Sequence, residues 1–497
     1  MVLAIIIIII YSFALLLIFF YALVQLNLLF NYIKYRKKNK NQPKPNLSVF
    51  EELPVVTIQL PVYNEMYVME RLLNNIAQID YPKDKLEIQV LDDSTDESLE
   101  RTKKHIEALQ QTGLDIKHIT RTVRTNFKAG ALKEGLETAK GEFIAVFDAD
   151  FLPQKDWLKL TLPYFIDEQI GVVQTRWGHL NRDYSLLTKV QAFALDLHFT
   201  LEQVGRNSQQ HFINFNGTAG IWRKTCIIDA GNWQGDTLTE DLDLSYRAQL
   251  NNWKFKYLEN VITPAELPVI ISAARSQQFR WNKGGAENYQ KMIKKVFSAS
   301  NISLKTKWHA TFHLLNSTMF FTILVVALLS VPVLYIKAWY PELKYVFYIM
   351  AFFLMSTLIF FCCYWEMFKQ IYGGGWRKFF VFIGLFFTFF SIAMGFSWNN
   401  TVAILEGHLG KKSAFIRTPK FNINAVSDKW LGNKYITNKI SFNTIIEGLL
   451  MLYFAFGLYS AFVVKPEGQD FGMFPFHLML FAGFGYIFFS SIFSRTK

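Results

Sequence analysis

The run from Val2 to Phe30 constrains this chain more than any other stretch: it is nearly all Ile, Leu, Phe, Ala and Tyr, carries no charge, and is long enough to cross a bilayer. A cleaved signal peptide has a basic start and a shorter apolar core, so the run is expected to stay as an uncleaved helical span. Lys34, Arg36, Lys37, Lys38 and Lys40 follow at once. By the positive-inside rule they leave the N-terminus outside and hold the next segment in the cytoplasm. Apolar sequence returns past residue 305, with spans expected near 315–336, 346–367, 446–464 and 475–493 and a weaker one at 378–396. A basic loop runs from Lys411 to Lys420. A full crossing at 378–396 would put that loop outside, against the positive-inside rule. Five crossings are therefore expected, with 378–396 lying in the interface or re-entering the membrane.

Charge and cysteines narrow the class further. Lys and Arg exceed Asp and Glu by 12, and much of that excess flanks the apolar segments. That distribution points to an anionic membrane surface rather than to nucleic acid, for which no signature is present. Cys226, Cys362 and Cys363 build neither a disulfide framework nor a CxxC metal knuckle. The expected organisation is a transmembrane helix over 1–33, a basic linker over 34–53, a cytosolic domain over 54–300, and membrane or interfacial helices over 301–497 with a cytosolic basic loop at about 408–440.

Within 54–300, strand-like runs at Val55–Leu60, Glu87–Leu91, Phe143–Phe147 and Gly171–Thr175 alternate with helical spacing at Glu65–Gln78, Asp96–Gln110 and Lys128–Ala139. The alternation predicts an α/β domain with a mainly parallel sheet and ligands at the carboxyl ends of its strands. The strand Phe143–Phe147 runs straight into Asp148-Ala149-Asp150. Residues two apart on an extended chain share a face, so both carboxylates can reach one hard divalent cation, Mg2+ or Mn2+. Acid-x-acid is also a common surface accident, and the neighbouring motifs decide its weight.

Tyr63-Asn64-Glu65 and Asp92-Asp93-Ser94 follow two other strands, where they can grip a nucleobase or ribose. Asn64 and Ser94 read better as helix caps, Asp92 and Asp93 as ligand contacts. Lys128 stands at a helix start, where it can reach a phosphate or simply be solvated. Asp241, in Thr239-Glu240-Asp241, is the choice for a base that takes a sugar hydroxyl's proton, with Asp243 its nearest rival. Gln277, Arg280 and Trp281 sit on a basic, aromatic helix: either an interfacial helix meeting lipid headgroups, or a cation for a departing diphosphate beside a ring on which a sugar stacks. Asn216-Gly217-Thr218 offers amide, close backbone and hydroxyl to an acceptor sugar, or is a turn.

Taken in order, Tyr63-Asn64-Glu65, Asp92-Asp93, Asp148-Ala149-Asp150, Thr239-Glu240-Asp241 and Gln277-x-x-Arg280-Trp281 resemble the signatures of the processive family 2 glycosyltransferases, the cellulose synthase and cellulose synthase-like group. The resemblance implies a GT-A fold and an inverting hexosyltransferase that draws on a nucleotide sugar, with Mg2+ or Mn2+, and passes a growing β-glycan through its own helices. It implies donor contacts from Tyr63, Glu65, Asp92, Asp93, Lys128, Gln277 and Arg280, metal and diphosphate on Asp148 and Asp150, and Asp241 as base. Asn216, Gly217, Thr218, Glu240 and Trp281 are the implied acceptor contacts, and Phe415–Lys420 is similar to the mobile loop that closes over the donor in cellulose synthases. The chain lacks the RING-like cysteine cluster of the plant cellulose synthases and is similar in its compactness to mannan and glucan synthase-like members, so UDP-glucose and GDP-mannose both stand as donors, with a β-1,4 product first. The implied partners are donor, glycan acceptor and bilayer, with room for an export or accessory subunit. A bacterial inner membrane is the expected location, a Golgi-type endomembrane the alternative. Two rivals remain: a non-processive transferase that glycosylates a membrane lipid, told apart by product length, and a transporter with a nucleotide-sensing domain, which calls for ionisable residues inside the spans.

Overall fold

The computed structural model describes residues 1–40, 43–413, 416–425, 427, 428, 433–435, 441–465 and 469–493. Seven strands form one mixed sheet in the order β3-β2-β1-β4-β6-β5-β7: β1 (Val56–Val62), β2 (Leu86–Asp92), β3 (Asp115–Thr120), β4 (Phe143–Val146), β5 (Ile170–His179), β6 (Gly220–Arg223) and β7 (Lys254–Ala265). The first four are parallel, and β6 runs antiparallel to both β4 and β5. Central strands β1 and β4 are buried on both faces; β4 accordingly reads as an unbroken apolar run, while β1 carries Thr57 and Gln59 buried between its apolar residues.

The four strands expected from sequence are β1, β2, β4 and β5, while β3, β6 and β7 are additional. β3 alternates Asp, Lys and His with Ile on an edge, and β6 is only Gly-Ile-Trp-Arg, so neither offers the apolar run that marks β4. The helices expected over 65–78, 96–110 and 128–139 are observed as Met69–Ile76, Ser98–Gln110 and Phe127–Thr138.

Each face of the sheet carries its own core. One holds Val68, Leu72, Ile106 and Trp157. The other joins Leu132 and Trp222 to Leu28 and Tyr32 of the first helix and to Ile359, Cys363 and Phe382 of the C-terminal helices. The globular domain and the apolar helices thus share one continuous core.

Among the described residues, six helical segments are long and apolar enough to cross a membrane: Val2–Asn39, Thr318–Trp339, Pro341–Tyr372, Trp376–Gly395, Phe442–Val463 and Phe474–Phe493. The first exposes Ile5, Ile6, Ile9, Phe13 and Phe20, a surface suited to lipid. The architecture is a GT-A-like mixed sheet with a multi-span helical region. The helix Trp376–Gly395 packs on the globular domain, as Val2–Asn39 and Pro341–Tyr372 also do. Phe382 and Phe389 pack on Phe193, and Ile392 on Leu187, Val190 and Ile271, so it lies alongside the helix Leu186–Leu197 of the globular domain. Its far end meets Phe474–Phe493 where Gly395 and Gly483 bring two backbones together, and a Cβ on Gly395 would stand 2.5 Å from the Gly483 carbonyl oxygen. Small residues permit such close helix contacts. Gly483→Val is expected to lower the apparent unfolding temperature in detergent, with overpacking costing about 1–3 kcal/mol. An unchanged transition, followed by tryptophan fluorescence, would contradict this contact.

Candidate active site

Because β1, β2 and β4 are parallel and in register, they deliver their exit loops to one edge. Asp148 lies there, its backbone N–H donating to Thr218 Oγ1 at 2.9 Å, and the Ala219 N–H donates to Val146 O at 2.9 Å. These bonds pull the 216–219 segment against the end of β4. Lys128, in the first turn of the helix Phe127–Thr138, donates to Asp148 Oδ1 at 2.6 Å and to Gly217 O at 2.8 Å. Burial disfavours its charge, yet Asp148, Glu240 and Asp241 outweigh that and hold its pKa above the ordinary lysine value.

Asp241 stands in the first turn of the helix Glu240–Leu250. Burial, then the neighbouring Glu240 carboxylate, raises its pKa to about 7. Gly217, at φ +77°, lets the chain pass beside this carboxylate: a Cβ there would lie 3.1 Å from Asp241 Oδ2 and 3.5 Å from Lys128 Nζ. The rival Asp243 is fully buried and paired with Arg247 at 2.6 Å and Lys291 at 2.7 Å, away from the cleft.

Gln277, Arg280 and Trp281 belong to the helix Ile271–Ser298 and all line the same cleft. With Gly284 and Asn288 they recur at spacings of three and four, so one helix face carries them. That face docks on the Thr239 loop: Gly284 packs against Thr239, and Asn288 Nδ2 donates to Thr239 Oγ1 at 2.9 Å and Thr239 O at 3.1 Å. Trp281 lies 6.5 Å, centroid to centroid, from Trp177.

Tyr63, Glu65, Asp93, Asp150, Asn216, Gly217 and Glu240 complete the cleft walls. Asp150 is buried and meets Lys420 Nζ at 2.6 Å. Glu65 is raised to about 8 by burial, despite Arg417 and Lys420 nearby. Four residues are placed otherwise than the sequence suggests. Asp92 is turned into the domain, bound to His118 Nε2 at 3.0 Å and the Ser94 N–H at 2.9 Å. Thr218 is buried behind Asp148, where its hydroxyl accepts the Asp148 N–H. Asn64 and Ser94 cap no helix: Asn64 has φ +54° and its N–H donates to Ser94 Oγ at 2.8 Å, while its Oδ1 accepts the Thr95 N–H at 2.9 Å. The short side chains cross-link the exits of β1 and β2.

Several cleft residues escaped the sequence reading. Arg124 sits with its guanidinium carbon 3.4 Å from the centroid of the Tyr63 ring. Glu266 follows β7, a strand not expected, and accepts the Phe421 N–H at 2.8 Å. Of the loop compared with a mobile closing loop, Phe415 lies outside the described residues, while Arg417, Thr418 and Lys420 line the cleft. Asn216 is held by Gln203 at 2.8 Å and His198 at 3.1 Å. His198 opens a π-helical turn, His198–Glu202, whose Glu202 accepts from Gln25 of the first helix at 2.7 Å. Such turns mark functional sites more often than plain helix does. Polar residues inside apolar sequence, such as Gln25, were the available signal.

The fold is of the GT-A kind, with the cleft at the edge of the sheet where β1, β2 and β4 end. Residues 54–284 match the family described as "Glycosyltransferase like family 2". Similar curated proteins include glucomannan 4-beta-mannosyltransferase 1 of Cyamopsis tetragonoloba, 39% identical over 281 residues, or 56% of this chain and 53% of that one. Glucomannan 4-beta-mannosyltransferase 7 of Arabidopsis thaliana is 40% identical over 261 residues, 52% of this chain and 47% of that one. The chain spans about half the length of these relatives. Among solved structures, a mannosyltransferase from Pyrobaculum calidifontis in complex with GDP-Man and Mn2+ superposes with a TM-score of 0.52 at 18% identity, covering 81% of this chain and 99% of that one. At that identity the likeness concerns the fold alone.

Proposed function

We propose that this chain is an inverting hexosyltransferase that moves mannose from GDP-mannose onto the end of a β-1,4 glycan held at the membrane, with UDP-glucose the competing donor. The observation that carries the reading is the meeting of Asp241, Lys128, Asp148, Arg280 and Trp281 in one cleft. The names of the relatives favour mannose over glucose.

Asp241 accepts the proton of the acceptor hydroxyl as that oxygen bonds to the anomeric carbon and the bond from that carbon to the diphosphate breaks. The bonding electrons leave with the nucleoside diphosphate. Arg280 and Lys128 face the charge that develops there, the term to which preorganised electrostatics contribute most. Trp281 and Trp177 offer flat apolar surface to a pyranose ring. Asp148 and Asp150 would hold Mg2+ or Mn2+. Two carboxylates are what the described residues offer, and Mg2+ is typically bound by one or two carboxylates plus substrate phosphates. When bound, the cation supplies Lewis-acid neutralisation of phosphate charge. Further elongation and passage of the product through the helices belong to the same proposal, as does a cytosolic cleft. Five crossings belong to it as well, because they keep the basic loop Lys411–Lys420 on the cytosolic side.

Asp241→Asn is expected to abolish transfer, by a factor of about 10² or more, while donor affinity stays within about twofold. Full activity in that variant, measured with linkage analysis of the product, would remove the base. Since the pKa of Asp241 is raised to about 7, its acceptor form is lost as pH falls, so kcat/KM should drop between pH 8 and pH 6. A flat profile would argue against it. For the topology, a cysteine placed at Ser413 should react with impermeant maleimide only after the membrane is opened. Labelling of intact cells would put that loop outside.

A further inference from the structure

Resting on the transferase reading above, we propose that His198 is a positioning residue for the acceptor glycan: acting through Asn216, it fixes which way that side chain's amide faces. Asn216 lines the cleft and His198 does not. The residue after Asn216 is Gly217, the turn that passes beside Asp241 and Lys128, so the amide stands next to the group that takes the acceptor's proton. Its two ends are held by one helical turn. Gln203 Nε2 donates to Asn216 Oδ1 at 2.8 Å, and Asn216 Nδ2 meets His198 Nε2 at 3.1 Å. An α-helix would set residues five apart about 140° round its axis. The π-helical turn His198–Glu202 closes one residue later, with the Gln203 N–H donating to His198 O, and so brings both side chains to the face that meets Asn216.

One backbone carbonyl settles the direction of every bond in this series. Asn214 O can only accept, and Gln203 Nε2 donates to it at 3.0 Å. The same nitrogen faces Asn216, whose near atom must therefore be the oxygen, and the amide nitrogen of Asn216 is left to face His198. Nε2 of His198 must then accept. The ring proton accordingly sits on Nδ1 and is donated to Glu202 Oε2 at 3.1 Å. Glu202 is fixed in turn by Arg206 at 3.2 Å and by Gln25 of the first helix at 2.7 Å. An amide carries two N–H donors and two lone pairs, and these bonds use one of each at Asn216, which leaves one donor and one acceptor for a sugar hydroxyl among the described residues. Turned end for end, the amide would set its nitrogen against the Gln203 nitrogen and exchange the places of the donor and the acceptor that the glycan meets.

The two halves of the ring can be replaced separately. In His198→Gln an amide oxygen stands in for Nε2 and still accepts from Asn216, whereas His198→Asn keeps a donor in place of Nδ1 for Glu202 and leaves Asn216 without its partner. The assay is transfer from GDP-mannose to β-1,4-mannohexaose by the purified full chain in detergent with Mn2+, with KM taken separately for donor and acceptor and thermal unfolding followed alongside. His198→Asn should raise acceptor KM by about fivefold or more with donor KM within about twofold, while His198→Gln stays within about twofold on both. In an Asn216→Ala background, His198→Asn should add less than about twofold to acceptor KM. Equal losses in the two His198 variants overturn the assignment, as does a His198→Asn effect that persists undiminished beside Asn216→Ala. Should a His198 variant fail to fold, Gln203→Met removes the other bond that orients the amide: it should raise acceptor KM alone, and an unchanged acceptor KM there overturns the assignment too. Wild-type protein that transfers nothing from GDP-mannose or UDP-glucose would bring down the transferase reading itself, and the assignment with it.

Discussion

Carboxylates crowded at one sheet edge must be countered by cations, and the rest of this molecule is arranged to bring those cations in. Glu65, Asp148, Asp150, Glu240 and Asp241 share a cleft whose buried walls weaken solvation of each charge. Lys128 arrives from the start of one helix and meets Asp148, while Lys420 arrives from the far C-terminal half and meets Asp150. Both lysines stay charged against burial because of those acids. Where the compensation is weaker the acids respond: Glu65 rises to about 8, with Arg417 3.1 Å away, and Asp241 to about 7 beside Glu240. One cleft therefore holds acids with distinct tendencies to keep a proton, the condition under which a single carboxylate can serve as base near neutral pH.

Much of this was written locally in the sequence. β4 and the acids after it announce themselves because a doubly buried parallel strand is an apolar run that must stop where water begins. The face Gln277, Arg280, Trp281 is equally local, since helical spacing alone puts those residues side by side. Asp92 and Asp93 show where local reading ends. Adjacent residues of a strand point to opposite sides, so only one of the pair could reach the cleft, and which one depends on His118 and Arg121 from β3 and the loop after it. Asn64 was read as a cap because its residue type is right, but a neighbouring loop offered its amide a better partner than the helix that follows. Glu266 and Arg124 depend on distant partners: Glu266 follows β7, which pairs with β5, and meets Phe421, while Arg124 lies in a loop over Tyr63.

The first helix is more than an anchor. Gln25 donates to Glu202 at 2.7 Å and to Tyr21 at 2.9 Å, and Tyr21 reaches Asn316 at 2.6 Å. Glu202, held well below the usual carboxylate range by Arg206, His198 and Gln25 although burial opposes it, leads through His198 to Asn216 on the cleft wall. These bonds run from the first helix to the cleft wall and tie the helix to the domain.

The helix Ile271–Ser298 makes the same argument from the other end of the chain. Near its start, Arg275 is bound to Glu447 and to Ser491 at 2.9 Å, so it is fastened to two of the long apolar helices. Its middle presents Gln277, Arg280 and Trp281 to the cleft, and Asn288 holds the loop that carries Asp241 in place. Three jobs fall to one rigid rod of 28 residues. A shift of the apolar helices cannot be absorbed between them and the cleft, because no loop intervenes. Since misplacement by about 1 Å can cost about 10²-fold in a positioned reaction, the packing of residues such as Gly395 on Gly483 bears on chemistry it never touches.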